Sequence, residues 1–171
     1  PILVSTVAVN LKDSAPFVSV GEPTSEIHAE SQFQLAKKLL GTGKTDEARK
    51  AFERARDLDA LRFRADSRLN EIVSRAPVDK VFSLDAEKHF ADASPSRIPG
   101  ENLFWEHVHF NLEGNFLLAR VFGDGLVEAL NLDTSSSWLS IEQCLKQLGL
   151  TSFHQHAMVI QMRDRLGTPP F

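Results

Sequence analysis

The sequence predicts an α/β chain: part of a doubly wound parallel sheet, with an inserted helical segment and further helices at the C-terminal end. Three observations predict it. Residues 2–9 (Ile-Leu-Val-Ser-Thr-Val-Ala-Val) are rich in β-branched side chains and nearly continuous in apolarity, as in a strand covered on both faces. Residues 25–76 switch to a helical period. Residues 78–84 return to strand character through Val81, Phe82 and Leu84. The two apolar runs are therefore expected to pair in parallel, with the helices bulging out between them.

The elements follow in order. Asn10 lies at the carboxyl end of the first strand, where open α/β sheets place their ligand sites. Pro16, Gly21 and Pro23 mark the next stretch as a loop. Phe33, Ala36 and Leu40 then recur at helical spacing, with Leu35 and Leu39 beside them, until Gly41-Thr42-Gly43 interrupts. Thr45 is the expected cap of a second helix, with Asp46 and Glu47 in its first turn, where the helix dipole favours acid. Asp59 is expected to cap a third helix striped by Leu61, Ala65, Leu69 and Ile72, with Pro77 ending it. A short helix is expected over residues 85–91 and a loop over 94–100. Asn111 should cap a long apolar helix that Gly123 and Gly125 weaken. A serine-rich linker at 135–137 leads to two more helices, near 141–148 and 152–166. The domains read as residues 1–24 with 77–134, an insertion at 25–76, and an extension at 135–171.

Composition bounds the function. The 171 residues are 42% hydrophobic and 25% charged, so the chain can bury a core. A net charge of −4 argues against a nucleic-acid partner bound through bulk positive charge. The apolar run at 2–9 is too short to span a membrane, and the one cysteine, Cys144, excludes an internal disulfide. The chain opens at Pro1 straight into a strand and closes on Pro169-Pro170-Phe171, which reads as a piece of a longer protein. Nothing in it addresses compartment.

Residues 29–62 resemble a tetratricopeptide repeat, a helix–turn–helix unit with small residues where its helices touch. Leu35, Ala36, Leu39, Gly43, Ala48, Phe52 and Ala55 fall at the expected spacing, while Gln32 and Ala60 depart from it. One such unit cannot cover its own core, so it is expected to lean on the third helix and on the sheet. Residues 37–75 carry 11 Lys/Arg against 7 Asp/Glu, which suits either a solvated surface or an acidic peptide partner. Arg62 and Arg64, flanking Phe63, have a further reading as side chains that reach the neighbouring domain's active centre.

The densest chemistry is Phe104-Trp105-Glu106-His107-Val108-His109-Phe110-Asn111-Leu112-Glu113-Gly114. A carboxylate three residues before a histidine can fix the ring tautomer and leave the other nitrogen to take a proton from a serine hydroxyl. This stretch resembles the last motif of the SGNH (GDSL-type) serine hydrolases, Asp-x-x-His entering the final helix, with Glu106 in place of Asp. The resemblance implies a flavodoxin-like, three-layer sheet domain. It also implies an ester substrate such as an O-acylated carbohydrate, Glu106 and His109 as catalytic residues, and no cofactor. Asn10, His107 and Asn111 are pocket candidates. The family's Gly-Asp-Ser nucleophile motif is not recognisable; Ser5, Ser14 and Ser19 lack its setting. The chain is thus expected to be inactive by itself.

Other readings stand beside it. Glu106 and His109 also fit a structural pair at a helix entry, leaving the repeat-like hairpin as a protein-interaction module. A metal reading would use His107 and His109 with Glu106 or Glu113, but no further ligand group lies at a telling distance, so no metal is expected. His154 and His156, two residues apart on a helix, face different ways.

Overall fold

The computed structural model describes residues 1–75, 79–133 and 137–167. Pro77, Val78 and most of the expected 135–137 linker, with the domain boundaries drawn there, lie outside them, as does the terminal Pro-Pro-Phe. The described chain forms two compact units, Pro1–Asn131 and a second from Leu132 onward.

In the first unit, β1 (Ile2–Ser5) and β2 (Val81–Leu84) pair in parallel, Ile2 opposite Val81 and Ser5 opposite Leu84. The parallel pairing and the helices between the strands agree with expectation. The doubly wound, flavodoxin-like sheet does not: among the described residues the sheet has two strands, and helices make up most of the rest. The reason lies where β2 ends. Asp85 caps α4 (Ala86–Asp92) by accepting from the Lys88 N–H at 3.0 Å, so β1 loses its backbone partner after Thr6, whose N–H reaches Leu84. Residues 7–11 take other partners. Val7 exchanges two hydrogen bonds with the Asn70 side-chain amide, Asn10 donates to the His107 carbonyl, and Leu11 donates to that of Pro99. The apolar run 2–9 is thus strand only over residues 2–5, and it is buried chiefly at its other end, where Ala8 and Val9 are each 3% exposed.

The hairpin is α1 (Ala29–Gly41) and α2 (Thr45–Asp57). Ala36, Ala48 and Ala55 are essentially inaccessible, which lets the helices approach closely. Phe33 and Phe52 meet edge to face at 5.3 Å between them. Gly43 closes the turn at φ +78°, a left-handed conformation that suits glycine. Lys44, not Thr45, occupies the cap position of α2, although Asp46 and Glu47 sit in its first turn as expected. The hairpin core continues into Val9, Leu11 and Ile98, with Ala65 and Val108 packed against it.

The third helix begins later than its stripe suggests. Asp66 caps α3 (Ser67–Ser74) by accepting from Leu69 N–H at 2.8 Å, whereas Asp59 is buried in a loop. The Asp59 carboxylate accepts from Leu61 N–H, as a cap would, but also from the N–H groups of Phe17 and Val18 in a distant loop, and the helix starts only at Ser67.

A tight turn at Pro95–Arg97, with Ser96 and Arg97 at positive φ, precedes α5 (Leu112–Leu130). Asn111 caps α5 as expected, accepting from Gly114 N–H at 2.9 Å. Gly114 packs against the Leu103 backbone where a Cβ would collide, and Gly125 lies on the Leu84 side chain. In α5 the buried glycine at 125 provides close approach to β2, and the helix runs unbroken through it. The second unit contains α6 (Ile141–Gln147), opened by a Ser140–Gln143 capping box, and α7 (Ser152–Leu166). Phe153 and Leu148 there are exposed. Among the described residues no helix is long and apolar enough to cross a membrane.

Candidate functional site

The site is the tip of a tight loop between the Pro95–Arg97 turn and α5. Asn111 N–H donates to the Leu103 carbonyl and Trp105 N–H to that of His109, which folds residues 103–111 back on themselves. The base is anchored by aromatic packing. Phe104 and Phe110 lie 5.0 Å apart, and Phe90 of α4 contacts both, at 5.7 and 4.9 Å. Glu106, His107 and Val108 form the tip.

Glu106 organises it. Its Oε1 accepts from Val108 N–H at 3.1 Å, His109 N–H at 2.5 Å and the His109 ring Nδ1 at 2.5 Å. Its Oε2 lies against the His107 ring Nδ1. With Nδ1 donating to the carboxylate, the His109 ring presents Nε2 as an acceptor. The two rings differ in exposure: His109 is 63% exposed at the side chain and His107 10%. His107 is held below the ordinary imidazole range by burial first, then by the Arg64 guanidinium and by His109. The same burial disfavours its imidazolium form.

The pocket candidates divide. Asn10 is beside the site through its backbone, its N–H on the His107 carbonyl at 3.0 Å, while its side-chain oxygen accepts from Asp13 N–H. Asn111 is committed to structure: its oxygen caps α5 and its Nδ2 donates to the Glu101 carbonyl. His107 is part of the Glu106 cluster. The three serines are placed elsewhere. Ser5 Oγ donates to the Thr6 carbonyl, Ser19 Oγ accepts from Glu30 N–H, and the Ser14 carbonyl accepts from Arg64. Among the described residues no group of three or more His, Cys, Asp or Glu side chains is arranged to hold a metal ion.

Arg62 and Arg64 also part ways. Arg62 pairs with Asp66 at the surface. Arg64 is buried and ties the site's supports together, donating to the carbonyls of Asn10 at 3.1 Å and Ser14 at 2.7 Å, and pairing with Asp59 at 3.3 Å. Phe17 and Phe63 complete the surroundings. Their rings lie 4.9 and 6.0 Å from that of His107 and 5.3 Å from each other. Phe17 carries no helical period, and the one trace it leaves in the sequence is a short apolar stretch, Phe17-Val18-Ser19-Val20, after Pro16.

Comparison of the chain with protein-family models, curated proteins and solved structures finds no match.

Proposed function

We propose that Glu106 and His109 are the acid and base of a serine-hydrolase centre that cleaves an ester, such as an O-acyl group on a carbohydrate, with the nucleophilic serine supplied from outside residues 1–171. The observation that carries the reading is the 2.5 Å contact from the Glu106 carboxylate to His109 Nδ1, on a ring whose other side is open to solvent. Glu106 sets the tautomer. His109 Nε2 takes the proton of the attacking hydroxyl as the tetrahedral intermediate forms, then returns it to the leaving alcohol. The resemblance of residues 106–114 to the SGNH motif supports the same assignment.

The second reading is a protein-interaction module. An open cavity of about 630 Å³ beside the hairpin, floored by Phe33 and Phe52 and rimmed by Lys12 and Lys37, favours it.

Hydrolysis of p-nitrophenyl acetate separates the two. Residues 1–171 alone should show no turnover above background. The longer protein that carries them and supplies the serine should be active and lose ~100-fold or more with His109→Ala. Unchanged turnover by folded His109→Ala protein would remove the hydrolase reading. Turnover by residues 1–171 that a serine-directed inhibitor blocks would place the nucleophile within them.

A further inference from the structure

Glu106 stands between two imidazole rings. Its Oε1 holds the Nδ1 of His109, and its Oε2 lies against the Nδ1 of His107. The proposed reaction uses His109, and leaves the second ring without a part. Yet His107 is the more firmly held of the two. Its side chain is almost buried, whereas that of His109 is largely open. Its carbonyl accepts from Asn10 N–H at 3.0 Å, and the rings of Phe17 and Phe63 pack against its own. Asn10 is fixed in turn by Arg64, which donates to its carbonyl at 3.1 Å and pairs with the buried Asp59. His107 is thus anchored to parts of the fold far from the tip. The donors to Glu106 Oε1, in contrast, belong to residues 108 and 109, within the tip itself.

That difference bears on what the carboxylate can do. Held at Oε1 alone, it can still turn about that oxygen, and the turn carries it out of line with the His109 ring. The longer side chain of glutamate, with one more rotatable bond than aspartate, has the more need of a second hold. Oε2 is also closed off from water. A buried carboxylate oxygen that receives no hydrogen bond favours the protonated acid, and a protonated Glu106 would no longer require the His109 proton to sit on Nδ1. One N–H directed at Oε2 meets both needs: it fixes the carboxylate plane and satisfies the buried oxygen. The nitrogen in that place is His107 Nδ1, and an ionised carboxylate, which only accepts, has to be met there by a donor.

We propose that His107 is a positioning residue for the catalytic pair: its Nδ1–H locks the Glu106 carboxylate from the buried side, so that Oε1 keeps the His109 proton on Nδ1 and leaves Nε2 free for the attacking hydroxyl. This rests on the hydrolase reading for its chemistry and deepens it. No proton is transferred at His107; its ring donates throughout, and Glu106 stays a carboxylate.

The tautomer of each ring can be read by NMR in residues 1–171 labelled with nitrogen-15 at histidine, at about pH 8, above the ordinary imidazole range. In the unaltered chain both rings should carry the proton on Nδ1. His107→Phe keeps an aromatic ring against Phe17 and Phe63 but removes the donor. It should lower the Nδ1–H to Nε2–H ratio of His109 several-fold, towards that of an unrestrained imidazole. His107→Asn places an amide N–H where Nδ1 stood and should restore the ratio, which a space-filling role for His107 would not do. A His107 ring protonated on Nε2 alone in the unaltered chain would overturn the assignment, and that measurement needs no variant to fold. So would an unchanged His109 ratio in folded His107→Phe protein, or a ratio that His107→Asn leaves as low as His107→Phe does. In the longer, active protein His107→Phe should lower kcat for p-nitrophenyl acetate about tenfold or more with KM little changed, the scale of one charge-assisted hydrogen bond, and His107→Asn should recover most of it. Loss of turnover in His109→Ala with none in His107→Phe would sink the positioning role alone. The hydrolase reading falls by a different result, unchanged turnover in His109→Ala protein, so the two failures are distinguishable.

Discussion

The α1–α2 hairpin and the 103–111 loop are built in opposite ways. The hairpin is held chiefly by apolar side chains that interlock across two helices: Phe33, Phe52 and the buried alanines 36, 48, 51 and 55 carry it, with Arg56 the one buried charge, paired with Asp57 and Glu87. The loop tip is held by one carboxylate gathering three nitrogens of its own segment while a fourth approaches its second oxygen, on a base of three phenyl rings. Burial is insensitive to small changes of angle and comes with a regular spacing along the chain. A carboxylate cluster depends on a particular backbone path. The hairpin therefore specifies shape, and the tip specifies where a proton can be held.

Substitutions should expose the difference, beginning with the largest effect. Phe52→Ala removes a nearly inaccessible ring from the hairpin core and should cost about 3–5 kcal/mol in denaturant unfolding. A cost below ~1 kcal/mol would mean that the hairpin is not organised by that ring. Arg64→Leu should cost a similar ~3–5 kcal/mol, because it strands the buried Asp59 carboxylate. Adding Asp59→Asn should recover part of that loss, which Phe52→Ala has no polar partner to do. No recovery in the double variant would show that Arg64 acts mainly through the Asn10 and Ser14 carbonyls.

Within the tip, Glu106→Ala should cost ~1–3 kcal/mol, since it leaves partly buried donors without their acceptor, and Glu106→Gln should cost less by keeping one carbonyl oxygen. Equal costs would mean that charge and not geometry holds the loop.

His107 links the tip to pH. Its folded-state pKa lies below the ordinary 6.5, so the unfolded chain binds the proton more readily. Its contribution to stability is fully present above about pH 6.5 and is lost as the pH falls from there through the lowered folded value. A chemical-denaturation series from pH 8 to 5 should show this loss, and His107→Gln should flatten it; an unchanged slope would place the titration elsewhere.

The smallest effect is expected at the most exposed member. His109→Ala should change stability by no more than about 0.5 kcal/mol, because its ring is open to solvent. A large loss of stability there would make the Glu106–His109 contact structural and favour the interaction-module reading.

The same contrast explains what could be read in advance. The two helices of the hairpin and the Asn111 cap are local signals: spacing and a capping side chain. The 106–109 contact was also legible, because three residues of separation suffice to bring a carboxylate to a ring. Asp59 misled for the same reason. It has the residue type of a cap, but three N–H groups from residues 17, 18 and 61 claim its carboxylate. Residues 2–9 misled because an apolar, β-branched run does not by itself supply a neighbouring backbone, and the strand ends at Ser5.

By itself the sequence determined the local elements, since helix period, caps and turns are set by neighbours within a few residues. It also determined the composition of the tip. Tertiary structure alone decided how many strands the sheet has, because a strand exists only where another backbone lies beside it. It alone decided that Asn10, Arg64, Phe17 and Phe63 meet around His107. Those contacts join loops more than forty residues apart through a buried ion pair, backbone hydrogen bonds and ring contacts, none of which imposes a period on the chain.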